Sequence, residues 1–198
     1  MAQCRSESSP ASDSSPINTK ANRIIWIDCE MTGLDINTDH LLEVACIVTE
    51  ASLDIVADGP DIVIHQSDEV LNAMGDWCTR QHLISGLTLG VRESKVSVAE
   101  AEAKLLDFVS HHTPAGKCPL AGNSVYMDKM FLMKYMPRLC NHLHYRIIDV
   151  STIKELAQRW YSPDVLQCCP KKSSKHRALE DIRDSIEELK FYRKAVFF

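Results

Sequence analysis

Asp28 and Glu30 stand two residues apart in Ile24-Ile25-Trp26-Ile27-Asp28-Cys29-Glu30, a segment that is otherwise almost wholly apolar. Such a run reads as a buried strand, on which side chains two apart point to the same face. Two ionised carboxylates crowded on one side of a buried strand destabilise each other unless protons or cations intervene, so the pair is a candidate metal site. Further along come Asp128, then His176 and Asp181 in His-Arg-Ala-Leu-Glu-Asp. Four acids and a histidine are what a two-metal phosphodiester-cleaving site needs: oxygen ligands for hard cations and a base for the attacking water.

Each piece has a plainer reading. An Asp-x-Glu at a strand end is more often a solvated edge, although the apolar run before Asp28 argues against solvation. Asp128, beside Lys129, reads equally as an exposed helical acid. His176 and Asp181 are five apart, roughly 140° around a helix, and converge only if His176 lies at the helix entrance or in the loop before it. The stretch 171–175, Lys-Lys-Ser-Ser-Lys, is such a loop, with serines able to cap the helix. Taken alone, His176 also reads as a surface histidine among basic residues.

The elements that must carry these groups follow from periodicity. Strands are expected at 24–30, 41–50 and 54–65, and helices near 69–82 and 97–112. A short strand at 118–122, a helix at 125–136, a strand at 146–150 and a helix at 151–160 follow. A final helix from about 176 has Leu179, Ile182, Ile186 and Leu189 at helical spacing. Three early strands with short connections imply an antiparallel meander, and later strands alternating with helices imply parallel additions.

Four segments together carry a resemblance to a known family. They are Trp26-Ile27-Asp28-Cys29-Glu30-Met31-Thr32-Gly33-Leu34-Asp35, the stretch 122–132 beginning Gly-Asn-Ser, His144-Tyr145-Arg146-Ile147-Ile148-Asp149-Val150-Ser151-Thr152, and 176–181. In that order they closely resemble oligoribonuclease, the small-substrate branch of the DEDD 3′→5′ exonucleases in the subtype with a histidine base. The resemblance implies an α/β, ribonuclease H-like mixed sheet flanked by helices, spanning residues 23–198. It further implies that Asp28, Glu30, Asp128 and Asp181 hold two divalent cations, Mg²⁺ with Mn²⁺ able to substitute, and that His176 takes the proton of the attacking water. Very short RNA, dinucleotides especially, would be cut to 5′-mononucleotides.

The resemblance also maps substrate residues. Leu34 takes the place of a wedge between bases and Trp77 that of a stacking aromatic, although the spacing of Leu71, Met74 and Trp77 by itself suggests core. A cap over the 5′ phosphate maps onto Ser124 and His82, with Arg146, Ser151 and the nearby Tyr145 coming from the second subunit of a homodimer. Arginine suits that place because its fork can donate two hydrogen bonds to phosphate. One departure lies at the cap: where the family has glycine and lysine after the histidine, this chain has Leu83 and Ile84.

Composition fits one catalytic domain. The 198 residues are 45% hydrophobic and 25% charged, an ordinary globular balance. Residues 1–22, with six serines, two prolines and almost no large apolar side chain, are expected to be a disordered tail. A net charge of −5 disfavours a broad basic groove for a long polyanion and suits a short substrate in a closed pocket. Eight cysteines without a Cys-x-x-Cys pair point to reduced intracellular thiols. No run approaches a membrane span, and the acidic residues of the tail make a poor mitochondrial presequence. The cytoplasm is therefore the expected compartment, with mitochondria open because members of the resembled family occur there. Two rival readings stand beside this one: a proofreading-type exonuclease acting on longer strands, and a catalytically silent nucleic-acid-binding relative.

Overall fold

The computed structural model describes residues 19–171 and 177–197. Its centre is a five-stranded mixed sheet of β1 (Ile24–Met31), β2 (Leu41–Thr49), β3 (Ile55–Val63), β4 (Leu120–Gly122) and β5 (Ile147–Asp149), in spatial order β3-β2-β1-β4-β5. β1, β2 and β3 pair antiparallel, whereas β4 adds parallel to β1 and β5 parallel to β4. The meander with parallel additions expected from the connection lengths is present.

Nine helices among the described residues cover the sheet. They are α1 (Asp68–Asn72), α2 (Asp76–Ile84), α3 (Leu87–Glu93), α4 (Val98–His112), α5 (Tyr126–Tyr135), α6 (Pro137–His142), α7 (Val150–Trp160), α8 (Pro163–Leu166) and α9 (Ala178–Ala195). The single helix expected over 69–82 is two. Extended backbone at Gly75 interrupts it, and α2 starts afresh there. Leu71 and Met74 fall into the core while Trp77, past the break, is 58% exposed. Three short helices escape periodicity altogether. Gly86, at φ +76°, separates α3 from α2. α6 and α8 each begin on proline, whose fixed φ suits a first helical position, but neither is long enough to show an apolar stripe.

The expected tail lies mostly outside the described residues. Its last four residues are an exception: Thr19–Asn22 forms one 3-10 turn, against which the Cys118 thiol donates to the Lys20 carbonyl at 3.2 Å. Among the described residues, regular structure thus starts ahead of residue 23. The described cysteines are all free thiols, with Cys29 and Cys46 buried as small hydrophobes.

Alternation along β1 divides the core. Ile25, Ile27 and Cys29 face the cluster with Leu105 of α4, Phe131 and Leu132 of α5 and Leu139 of α6. Ile24 and Trp26 face the other way, against Val150 and Ala157 of α7 and Ile182, Ile186 and Tyr192 of α9. Asp28 and Glu30 continue the second series, so strand periodicity aims both carboxylates toward α9.

Candidate active site

At the end of β1, one carboxylate oxygen each from Asp28, Glu30 and Asp181 lie within 4.8 Å of one another. Asp181 belongs to the first turn of α9, which packs across the face to which the β1 pair points. Asp128, in the first turn of α5, approaches from the opposite face. It is buried, and its Oδ1 accepts the Cys29 backbone N–H at 2.9 Å. All four acids line one cavity of about 460 Å³, whose wall also includes Leu34, Asn123, Ser124 and Tyr126.

The electrostatics match the crowding. Burial, then the Asp181 charge, pushes the Glu30 carboxyl from 4.5 up to about 8. Burial likewise raises Asp128, against the pull of the Cys29 N–H. The residues fit a divalent metal on two counts: the donors are hard oxygens that converge, and the assembly resists full ionisation unless positive charge enters it.

The loop after β1 presents Leu34, which is 66% exposed at the cavity edge. Asp39 ties that loop from within, accepting the Thr32 hydroxyl at 2.7 Å and the Asp35 N–H at 2.9 Å. Gly33 makes this closeness feasible, since a Cβ there would sit 2.4 Å from Asp39 Oδ2. No feature of sequence spacing singled out Asp39.

Other expected substrate residues are placed unevenly. Ser124 lies on the cavity wall with φ +51°, and its N–H meets both Asp149 Oδ1 and Ser151 Oγ at 3.0 Å. Ser151 therefore reaches Ser124 from its own chain, whereas the resemblance has it come from a second subunit. The cause is local: β4 and β5 are adjacent parallel strands, so the turns leaving them lie side by side. Tyr145 and Arg146 are exposed outside the cavity wall, with the guanidinium carbon 5.2 Å from the tyrosine ring centre. Trp77 is likewise outside the wall, on α2.

His82 is 2% exposed, with Nε2 2.9 Å from the Met31 carbonyl and Nδ1 4.0 Å from Glu30 Oε2. The register of α2 turns His82 inward and leaves Leu83 and Ile84 69% and 75% exposed. The histidine thus abuts the strand that bears Asp28 and Glu30 rather than the cavity wall. His176 lies outside the described residues.

Two further groups at the site were not singled out from sequence. Asn123 donates through Nδ2 to Ser185 Oγ at 2.8 Å and Glu188 Oε2 at 3.1 Å, and accepts Ser151 Oγ at 3.0 Å, joining α7, α9 and the turn before α5. Glu43 of β2 is fully buried against Arg177. An acid inside an apolar strand is the signal that would have found Glu43.

Comparison with known proteins agrees with this geometry. Residues 25–189 match the RNase T family, described as exonuclease. The human mitochondrial oligoribonuclease is 55% identical over 177 residues, covering 89% of this chain and 74% of that one. A probable oligoribonuclease of Dictyostelium discoideum is 57% identical over 181 residues, 91% of this chain and 94% of that one. The oligoribonuclease of Marinobacter nauticus is 53% identical over 179 residues, 90% and 98% respectively. Among solved structures, an exonuclease I superposes with a TM-score of 0.66 at 16% identity, which speaks to the fold. The match covers 87% of this chain but only 41% of that exonuclease. With a ribonuclease H-like sheet, a converging carboxylate set and relatives 53–57% identical over about nine-tenths of its own length, the chain belongs to the oligoribonuclease family of exonucleases.

Proposed function

We propose that this protein is a 3′→5′ exoribonuclease that hydrolyses very short RNA, dinucleotides above all, to 5′-mononucleotides. The observation that carries the reading is the convergence of Asp28, Glu30 and Asp181, with Asp128 beside them, in one cavity at the end of β1. Those four residues would hold two divalent cations, Mg²⁺ or in its place Mn²⁺. When bound, such ions activate water and offset charge on a phosphodiester.

The chain's own residues supply the rest. His176 takes the proton of the attacking water, a role that suits histidine as a residue type. Leu34 inserts at the base step and Trp77 offers an aromatic face, so bases are held without reading sequence. Ser124 and Ser151 present hydroxyls at the cavity edge, where a substrate phosphate can be received. Arg146 and Tyr145, exposed and away from their own cavity, suit donation to the cavity of a second subunit in a homodimer. His82 acts on this site through the β1 end. The acidic net charge supports a short substrate over a long one.

Both cytoplasm and mitochondria remain in the proposal. Human and bovine relatives carry a mitochondrial name, and no helix among the described residues is long and apolar enough to cross a membrane.

The test is hydrolysis of 5′-phosphorylated dinucleotides and of long single strands, with Mg²⁺, with Mn²⁺ and with chelator, for the protein and for His176→Ala. Metal-dependent release of mononucleotides that favours the dinucleotide is expected. The variant should lose roughly two or more orders of magnitude in rate. Equal rates on long strands would point to a proofreading-type enzyme, and binding without cleavage to a silent relative.

A further inference from the structure

We propose that Glu43 and Arg177 form a positioning pair that sets Asp181 against Asp28 and Glu30. The inference rests on the reading that this carboxylate cluster holds divalent cations.

Glu43 lies within β2 with no solvent exposure, and its Cα pairs in register with that of Glu30 on β1. A carboxylate so placed is costly unless its oxygens are satisfied. Oε1 receives Arg177 Nη2 at 2.6 Å and Nε at 2.9 Å, and Oε2 receives the Ala178 backbone N–H at 3.1 Å. One buried carboxylate therefore holds the guanidinium and caps the first helical residue of α9. Arg177, at the N-cap position, makes no side-chain cap bond of its own.

The geometric consequence falls on Asp181. Its N–H bonds the Arg177 carbonyl at 3.0 Å, so it sits one helical turn from the anchored end. Apolar contacts of Ile182 and Ile186 hold the body of α9 to the sheet, but such contacts are non-directional. Charge-assisted hydrogen bonds to a strand-borne carboxylate are directional and short. Since Glu43 and Glu30 are register partners, the pair passes the position of the metal-ligand strand directly to the helix bearing the third ligand. Cation–oxygen distances tolerate only a few tenths of an ångström, which makes such an anchor consequential.

Arg177→Ala and Arg177→Lys in the full chain test this. The readouts are Mn²⁺ affinity by titration calorimetry, thermal melting without metal, and kcat and KM on a dinucleotide. Expected for Arg177→Ala is a folded protein whose Mn²⁺ affinity falls about tenfold or more, as loss of an outer partner of metal ligands does. Its kcat should fall with KM little changed, and added guanidinium should restore part of both losses. Arg177→Lys, lacking the fork, should lie between. Lowered melting with unchanged Mn²⁺ affinity and kcat would mean a purely structural ion pair and would overturn the proposal. Should the alanine variant fail to fold, wild-type values in Arg177→Lys would overturn it equally. Failure of the unaltered protein to bind Mn²⁺ would instead sink the metal reading itself, and the proposal with it.

Discussion

Asp128 Oδ1 accepts the backbone N–H of Cys29, the residue between Asp28 and Glu30, at 2.9 Å. One hydrogen bond thus joins the acid from α5 to the strand whose other face carries Asp28 and Glu30. The acids from α5 and α9 approach β1 from opposite faces of the sheet and meet only at its end, where the flanking layers open into the cavity.

Removing one charge from this cluster should separate function from stability. Asp28→Asn and Asp181→Asn are expected to abolish metal-dependent cleavage while leaving metal-free melting unchanged or raised, because each relieves repulsion among crowded acids. Cleavage assays beside thermal melts check this. Near-normal turnover in either variant would remove the carboxylates from the chemistry.

The raised carboxyls make metal-free stability depend on pH with a definite sign. Glu30 titrates near 4.5 when unfolded and at about 8 in the fold, where burial and Asp181 oppose its charge. Asp61 moves the same way, from 3.8 to about 6, through burial and then Glu43. Across these windows the folded chain binds more protons than the unfolded one, so stability falls as pH rises. Metal-free melting should therefore drop between about pH 5 and pH 8, and Mg²⁺ should raise it most at the alkaline end. Melting that rises steadily over that range without metal would contradict the assignment.

Trp77 is 58% exposed, and its loss should register in substrate binding more than in folding. Stacking on one base is worth about 1–3 kcal/mol, so Trp77→Ala should raise KM for a dinucleotide about five- to 150-fold. Melting should shift little, as for other surface changes. A core role would reverse the pattern, with unaltered KM and a large loss of stability.

Subunit donation can be read by mixing defects. Arg146→Ala and Asp128→Asn should each be inactive on dinucleotides, yet together regain activity once subunits exchange, because one hybrid cavity has both intact ligands and an intact arginine. Ser151→Ala mixed with Asp128→Asn should give the opposite result, since Ser151 reaches Ser124 within its own chain. The hybrid cavity with intact ligands then still lacks the hydroxyl. Recovery in the second mixture as strong as in the first would restore Ser151 to the partner.

Period-two alternation was enough to put Asp28 and Glu30 on one face of β1, because side-chain direction on a strand is a local property. Asp181 at the start of α9 was legible too, as were the antiparallel and parallel pairings implied by short and long connections. Leu34 was legible by resemblance, but the tie from Asp39 that holds its loop was not. The break at Gly75 inside the helix expected over 69–82 was missed because a pattern averaged over several turns overlooks a single extended residue, and the left-handed turn at Gly86 lies beyond that helix. They decide that Trp77 faces solvent and His82 the end of β1.

Contacts between residues far apart in the chain were beyond any local pattern. Glu43 and Arg177 are 134 residues apart, and Cys29 and Asp128 are 99. Neither pair leaves a periodic trace, since each depends on how a helix lands on the sheet after the intervening chain has packed. The identity of the carboxylates is thus written in single residues, while their convergence belongs to the sheet register and the anchoring of α5 and α9. A local segment specifies where its own side chains point, whereas the distance between two such segments is set by packing that neither contains.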